Sequence, residues 1–160
     1  MIARLTAAAL MILWPLAGIA QTNIALGGLN ADPTEAVEIT ADQLTVDQDS
    51  RSATFAGNVI IGQGELRIAA GNVRVVYDDA SGQIAQLMAT GGVTLVTATE
   101  AAEAQSAEYD LTTGLLTMTG DVLLTQGASA LSADRMVVNL TANTAQMDGR
   151  VRTVFQQGNN

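Results

Sequence analysis

Cysteine, histidine and lysine are all missing from this chain of 160 residues, and its seven basic side chains are arginines. Without thiol or imidazole there is no disulfide framework, no Cys/His zinc site, no thiol nucleophile and no histidine base. Without lysine there is no G-x-x-x-x-G-K-[ST] phosphate loop, so no nucleotide is held in that way. Aromatic residues make up 3% of the chain, too few to stack sugars beside a pair of catalytic carboxylates. Positive charge is scarce as well. Sixteen acidic residues set the net charge at −9, which argues against nucleic acid as a partner, since neutralising its phosphates needs a basic face. Enzymes and nucleic-acid binders thus drop out, and no cofactor or metal is expected. Asp47/Asp49 and Asp78/Asp79 are the close acidic pairs, too sparse to cage calcium.

What remains is apolar and periodic. Residues 1–20 carry the marks of a cleavable export signal: Arg4, an apolar run from Leu5 to Leu16, then Gly18-Ile19-Ala20 as a small-x-small cleavage site before Gln21. Pro15 and Gly18 interrupt the run short of the ~20 apolar residues that a spanning helix needs. The chain is therefore expected to leave the cytoplasm, with cleavage at Ala20. Residues 21–35, with Gly27-Gly28, Asn30 and Asp32-Pro33, have loop composition and read as a flexible arm. Residues 36–156 are one domain's worth of chain, and 157–160 a frayed tail.

Four times a glycine stands two residues before a valine: Gly57-Asn58-Val59, Gly91-Gly92-Val93, Gly120-Asp121-Val122 and Gly149-Arg150-Val151, the glycines being 34, 29 and 29 residues apart. Upstream of each lies an Asp or Asn that follows an apolar residue: Asp47, Asp78, Asp110 and Asn139. A period near 30 with a fixed layout is one structural unit used repeatedly. Counted from each glycine, even positions are apolar (Phe55, Met118, Ile61, Leu95) and odd ones polar, the alternation of a strand with one dry face. The glycine itself falls on the dry set in mid-strand, where it marks a crease rather than a hairpin tip. The Asp/Asn begins a turn by accepting bonds from the backbone two residues on. This predicts an all-β domain of about a dozen or more short strands in a jelly roll or two-sheet stack. Its end strands, near Val37–Ala41 and Val151–Phe155, carry neither proline nor lysine to block pairing with another chain.

The units "ITADQLTVDQDSRSATFAGNVIIGQGELRIAAGNVRVVYDD" and "AEYDLTTGLLTMTGDVLLTQGASALSADRMVVNLTANT" resemble the OstA-like family of lipopolysaccharide-transport proteins, and most of all its periplasmic LptA-like bridge members. The resemblance covers about residues 36–155. It implies an open, twisted β jelly roll, V-shaped in section, with an apolar inner face. It also implies a non-enzymatic activity: shielding the lipid A acyl chains of lipopolysaccharide in that groove while passing the molecule from inner to outer membrane through end-to-end strand stacking. The partners implied are lipopolysaccharide, further copies of the chain, an LptC-like inner-membrane subunit at the N-terminal edge and an LptD-like outer-membrane subunit at the C-terminal edge. The lipid-contacting residues would be Val37, Ile39, Phe55, Leu95, Tyr109, Leu111 and Met118. The joining edges would run through Val37, Ile39, Val151 and Thr153. Arg67, Arg74, Arg135, Arg150 and Arg152 would be the cations near lipid phosphates.

Two other readings stay open at this point. The repeats and open edges also suit a structural β-repeat protein of the envelope that binds no lipid. An uncleaved leader would instead make the chain an LptC-like anchored subunit.

Overall fold

The computed structural model describes residues 34–155 and the backbone of Asn23–Ala25. The expected leader (1–20), the tail (157–160) and most of the expected arm (21–35) lie outside the described residues. Among the described residues eleven strands form one antiparallel sheet. They are β1 (Asn23–Ala25), β2 (Glu38–Thr40), β3 (Gln43–Asp47), β4 (Ser52–Gln63), β5 (Leu66–Tyr77), β6 (Ile84–Val96), β7 (Glu100–Asp110), β8 (Leu115–Gln126), β9 (Ser129–Asn139), β10 (Thr144–Asp148) and β11 (Arg152–Val154). Their order is β1-β10-β9-β8-β7-β6-β5-β4-β2, with β3 also on β4 and β11 also on β9. The domain is all-β and open, as expected. Its strands are fewer and longer than the sequence suggested, because each long strand runs through the crease without a break.

The crease is a line of bulges. Gly57 and Asn58 on β4 oppose Gly71 alone on β5, so the register shifts by one between Ala56 and Val59. The same shift recurs at Gly91-Gly92 and at Gly120-Asp121. An extra residue of this kind bends a strand and increases its twist. Both residues of each pair are left-handed: Gly57 and Asn58 have φ of 78° and 47°, Gly149 and Arg150 of 76° and 43°. A side chain at that φ is uncommon, and each of the three non-glycine members is tied to a neighbouring segment, Asn58 to the bend between β2 and β3 and the other two to strands. Asn58 donates to Asp42 at 2.7 Å, Gln105 donates to Asp121 at 2.9 Å, and Arg150 donates to Asp134. At Gly71 the backbones come close, since a Cβ there would sit 3.2 Å from the Gly91 carbonyl oxygen.

The two-against-one count also explains why only half of the strands were easy to read. On β4 the inward set continues in step across the crease, from Ala53 and Phe55 to Val59 and Ile61. On β5 it slips: Leu66, Ile68 and Ala70 face inward before Gly71, then Val73 and Val75 after it. β7 and β9 slip in the same way, after Ala104 and after Ala133. A strict period of two therefore finds β4, β6 and β8 whole but β5, β7 and β9 only in part.

Folded along the crease, the sheet brings its two margins toward each other. One margin holds the turns after β3, β5, β7 and β9. There Asp47, Asp78, Asp110 and Asn139 each accept the amides two and three residues on, at 2.8–3.1 Å. The other margin holds the tight connections β4–β5, β6–β7 and β8–β9. Apolar side chains from both halves meet in one core, with Val75, Leu95, Met118, Val122, Leu124, Met136 and Val138 all fully buried.

Candidate functional site

The site is the inner face of this creased sheet, and three of the expected lipid-contacting residues sit deep within it. Leu95 and Met118 are 0% exposed and Tyr109 is 3% exposed. Tyr109 is near the end of β7 on the Asx-turn margin, and Gln63 ends β4 on the opposite one. The Tyr109 hydroxyl donates to Gln63 Oε1 at 3.1 Å, and Gln63 Nε2 donates to the Glu35 carbonyl at 3.0 Å. This chain of bonds clasps one margin to the other and holds the segment before β2 across them. Burial raises the pKa of the Tyr109 phenol above its ordinary value, so the hydroxyl stays protonated and available as donor. Around the clasp, Val37, Ile61, Leu66, Ile68 and Leu87 pack so closely that no space for a water molecule is left between them. The middle of the interior is likewise filled by side chains.

Val37, Ile39, Phe55 and Leu111 lie at the rim, partly buried and packed against the core. Two further apolar residues were not singled out for contact with lipid. Leu44 pairs with Phe55 and Val46 with Ala53, and directly paired residues share a face. Both therefore point to the inner side, yet they are 54% and 63% exposed. The interior is uncovered at this end. Gln63 was also missed, although it stands on the inward set of β4; a glutamine at an apolar position of an alternating run was the available signal.

The edges are more built than the sequence implied. At the N-terminal end β2 pairs with the far half of β4 and β3 with its near half. At the C-terminal end β10 takes the near half of β9 and β11 the far half, with Thr153 opposite Leu131. Val151 is 52% exposed. β1, drawn from the expected arm, pairs with the outer side of β10.

Of the arginines, Arg150 is bound to Asp134, which lowers the Asp134 pKa and raises that of Arg150. Arg67 donates to the carbonyls of Gly64 and Leu66. Arg74, Arg135 and Arg152 are exposed. Among the described residues no three acidic side chains converge to hold a metal ion, and no helix is long and apolar enough to cross a membrane.

Residues 38–159 match the family described as LptA/(LptD N-terminal domain) LPS transport protein. The chain belongs to that family. It is a family of transport proteins, not of enzymes. An uncharacterized protein of Rhizobium meliloti (strain 1021) is 27% identical over 145 residues, which are 90% of this chain and 66% of that protein. The chain thus spans just under two thirds of that relative. Among solved structures, the fold is similar to LptH, the LptA homologous periplasmic component of the lipopolysaccharide transport device of Pseudomonas aeruginosa. The TM-score is 0.71 at 14% identity, over 79% of this chain and 99% of LptH.

Proposed function

We propose that this chain is a periplasmic bridge protein of lipopolysaccharide transport, which takes lipid A acyl chains between the two margins of its creased sheet. The observation that carries this reading is the uncovered inner face at Leu44 and Val46, continuous through Phe55 with an apolar core. An exported chain that leaves inward apolar groups in water offers oily ligands a place to start. Phe55, Leu111, Val37 and Ile39 are next at the rim, and Leu95, Met118 and Tyr109 make the floor reached once the margins part.

Magnitudes favour opening. Breaking the Tyr109–Gln63 bond inside the protein costs about 1–3 kcal/mol. Each buried methylene returns ~0.8 kcal/mol, so roughly four methylenes offset the clasp. A chain of ordinary fatty-acid length then binds with energy to spare, while a partly open groove lets it leave again. Sugars and phosphates stay outside in water. The N-terminal edge, with Val37 and Ile39, meets an LptC-like subunit. The C-terminal edge, with Val151 and Thr153, meets an LptD-like one, and the same edges join copies end to end.

The test is displacement of an apolar fluorophore by purified lipopolysaccharide, on protein shown to be folded by its far-ultraviolet spectrum. The parent chain is expected to bind, and Phe55→Asp to bind at least roughly tenfold more weakly, since an unpaired buried charge is costly. Tyr109→Phe should lose about 1–3 kcal/mol of stability yet load lipid faster. Folded protein that takes up no lipopolysaccharide would leave a structural role alone.

A further inference from the structure

β1 lies on the edge that end-to-end joining would use at the C-terminal end. Asn23, Ile24 and Ala25 pair with Gln146, Ala145 and Thr144, so among the described residues three of the five β10 residues have a partner on their outer side. At the other end of the sheet, β2 and β3 each pair with β4 alone. Among the described residues, one end of the molecule thus covers part of its own edge with its N-terminal segment, and the other end does not.

Among the described residues the cover is three residues long, and the chain that links it to β2 has a limited reach. Twelve residues separate Ala25 from Glu38, a tether that reaches at most about 45 Å. Between β1 and β2 the sheet order places eight inter-strand steps, about 38 Å at the usual strand spacing. A three-residue strand on so tight a tether forms few ladder bonds and gives way to a longer strand.

We infer that β1 is a placeholder: it occupies the β10 edge of a single chain until the N-terminal edge of a second copy displaces it. The inference rests on the end-to-end reading above. It makes joining a competition, in which the free concentration of chain decides whether β1 or a neighbour holds β10. It also keeps an isolated molecule from presenting a bare C-terminal edge to other proteins.

The experiment compares the exported protein with Ile24→Pro and Ala25→Pro. Amides alternate sides along a strand, so one of the two prolines removes a bond to β10. Three measurements are made on the same samples: amide hydrogen exchange along β10, self-association by sedimentation, and fluorophore displacement by lipopolysaccharide. In at least one variant the outward amides of β10 should exchange faster while those of β9 do not. Self-association should tighten about tenfold, as for an edge that is free in one molecule in ten before the change. Three results would overturn the placeholder: exchange and association unchanged in both variants, weaker association because β1 is part of the joint, or parent and variants that all stay monomeric. In each case lipid uptake stands or falls by its own measurement.

Discussion

At the N-terminal end of the sheet, β3 is exposed along its whole length, and its inward Leu44 and Val46 look into solvent. At the C-terminal end, β10 turns Ala145 and Met147 inward at 1% and 8% exposed, Arg150 pins the crease to Asp134, and β1 lies outside. The two ends therefore offer unlike surfaces, one oily and unguarded, the other packed and partly covered. An isologous joint requires the same patch on both partners, whereas unlike ends join head to tail and propagate. A conduit needs that polarity, because its load must travel one way.

The comparison breaks most visibly in stability. Met136 on β9 is fully buried beside Met147 of β10, and Met136→Ala should cost about 2–5 kcal/mol in urea unfolding. Val46→Ala, at a position 63% exposed, should stay within about 0.5 kcal/mol. Equal losses would mean that the N-terminal end is core after all. A smaller effect is expected from Leu44→Asp combined with Val46→Asp. Far-ultraviolet spectrum and unfolding midpoint should barely move, while lipopolysaccharide uptake and end-to-end association each weaken roughly tenfold, as loss of apolar burial at two rim positions implies. Undiminished uptake in the double variant would place the entrance elsewhere.

Much of this was legible in the residues. Three of the four glycine-x-valine sites did mark a mid-strand crease, while at Gly149 the strand breaks between β10 and β11; the Asp/Asn residues did start the turns, because both are local chemistry: left-handed backbone and a side-chain acceptor two residues away. The all-β class and the family follow from the same repeats. Strand length was hidden by geometry. A one-residue slip on β5, β7 and β9 takes the inward set from Ala70 to Val73 and from Ala133 to Met136, and a period-two reading then sees two short segments instead of one long strand. The Tyr109–Gln63 clasp was hidden for another reason, since its partners are 46 residues apart and meet only after the sheet has folded on itself. Pairing of β1 with β10 joins the two ends of the chain, and nothing in the composition of residues 21–35 signals it.

The smallest effect separates turns that look alike. Asp47 and Asp78 have carboxyl pKa values held below the ordinary 3.8, first by the backbone amide and then by the hydroxyl of Ser50 and of Ser81. A lowered folded-state pKa contributes stability that is present above the unfolded value and is lost as pH falls through the folded one. Asn139 accepts the same pair of amides, from Thr141 and Ala142, and has no proton to gain. On acidification from about pH 5 to pH 2, protonation weakens the carboxylate acceptor. The amides of Asp49, Ser50, Ala80 and Ser81 should then shift and exchange faster while those of Thr141 and Ala142 hold. Asp78→Asn should abolish the response at its own turn and leave the one at Asp47 in place. If the Asn139 turn loosens in parallel with the others, acid is acting on the sheet as a whole and not on these two carboxylates.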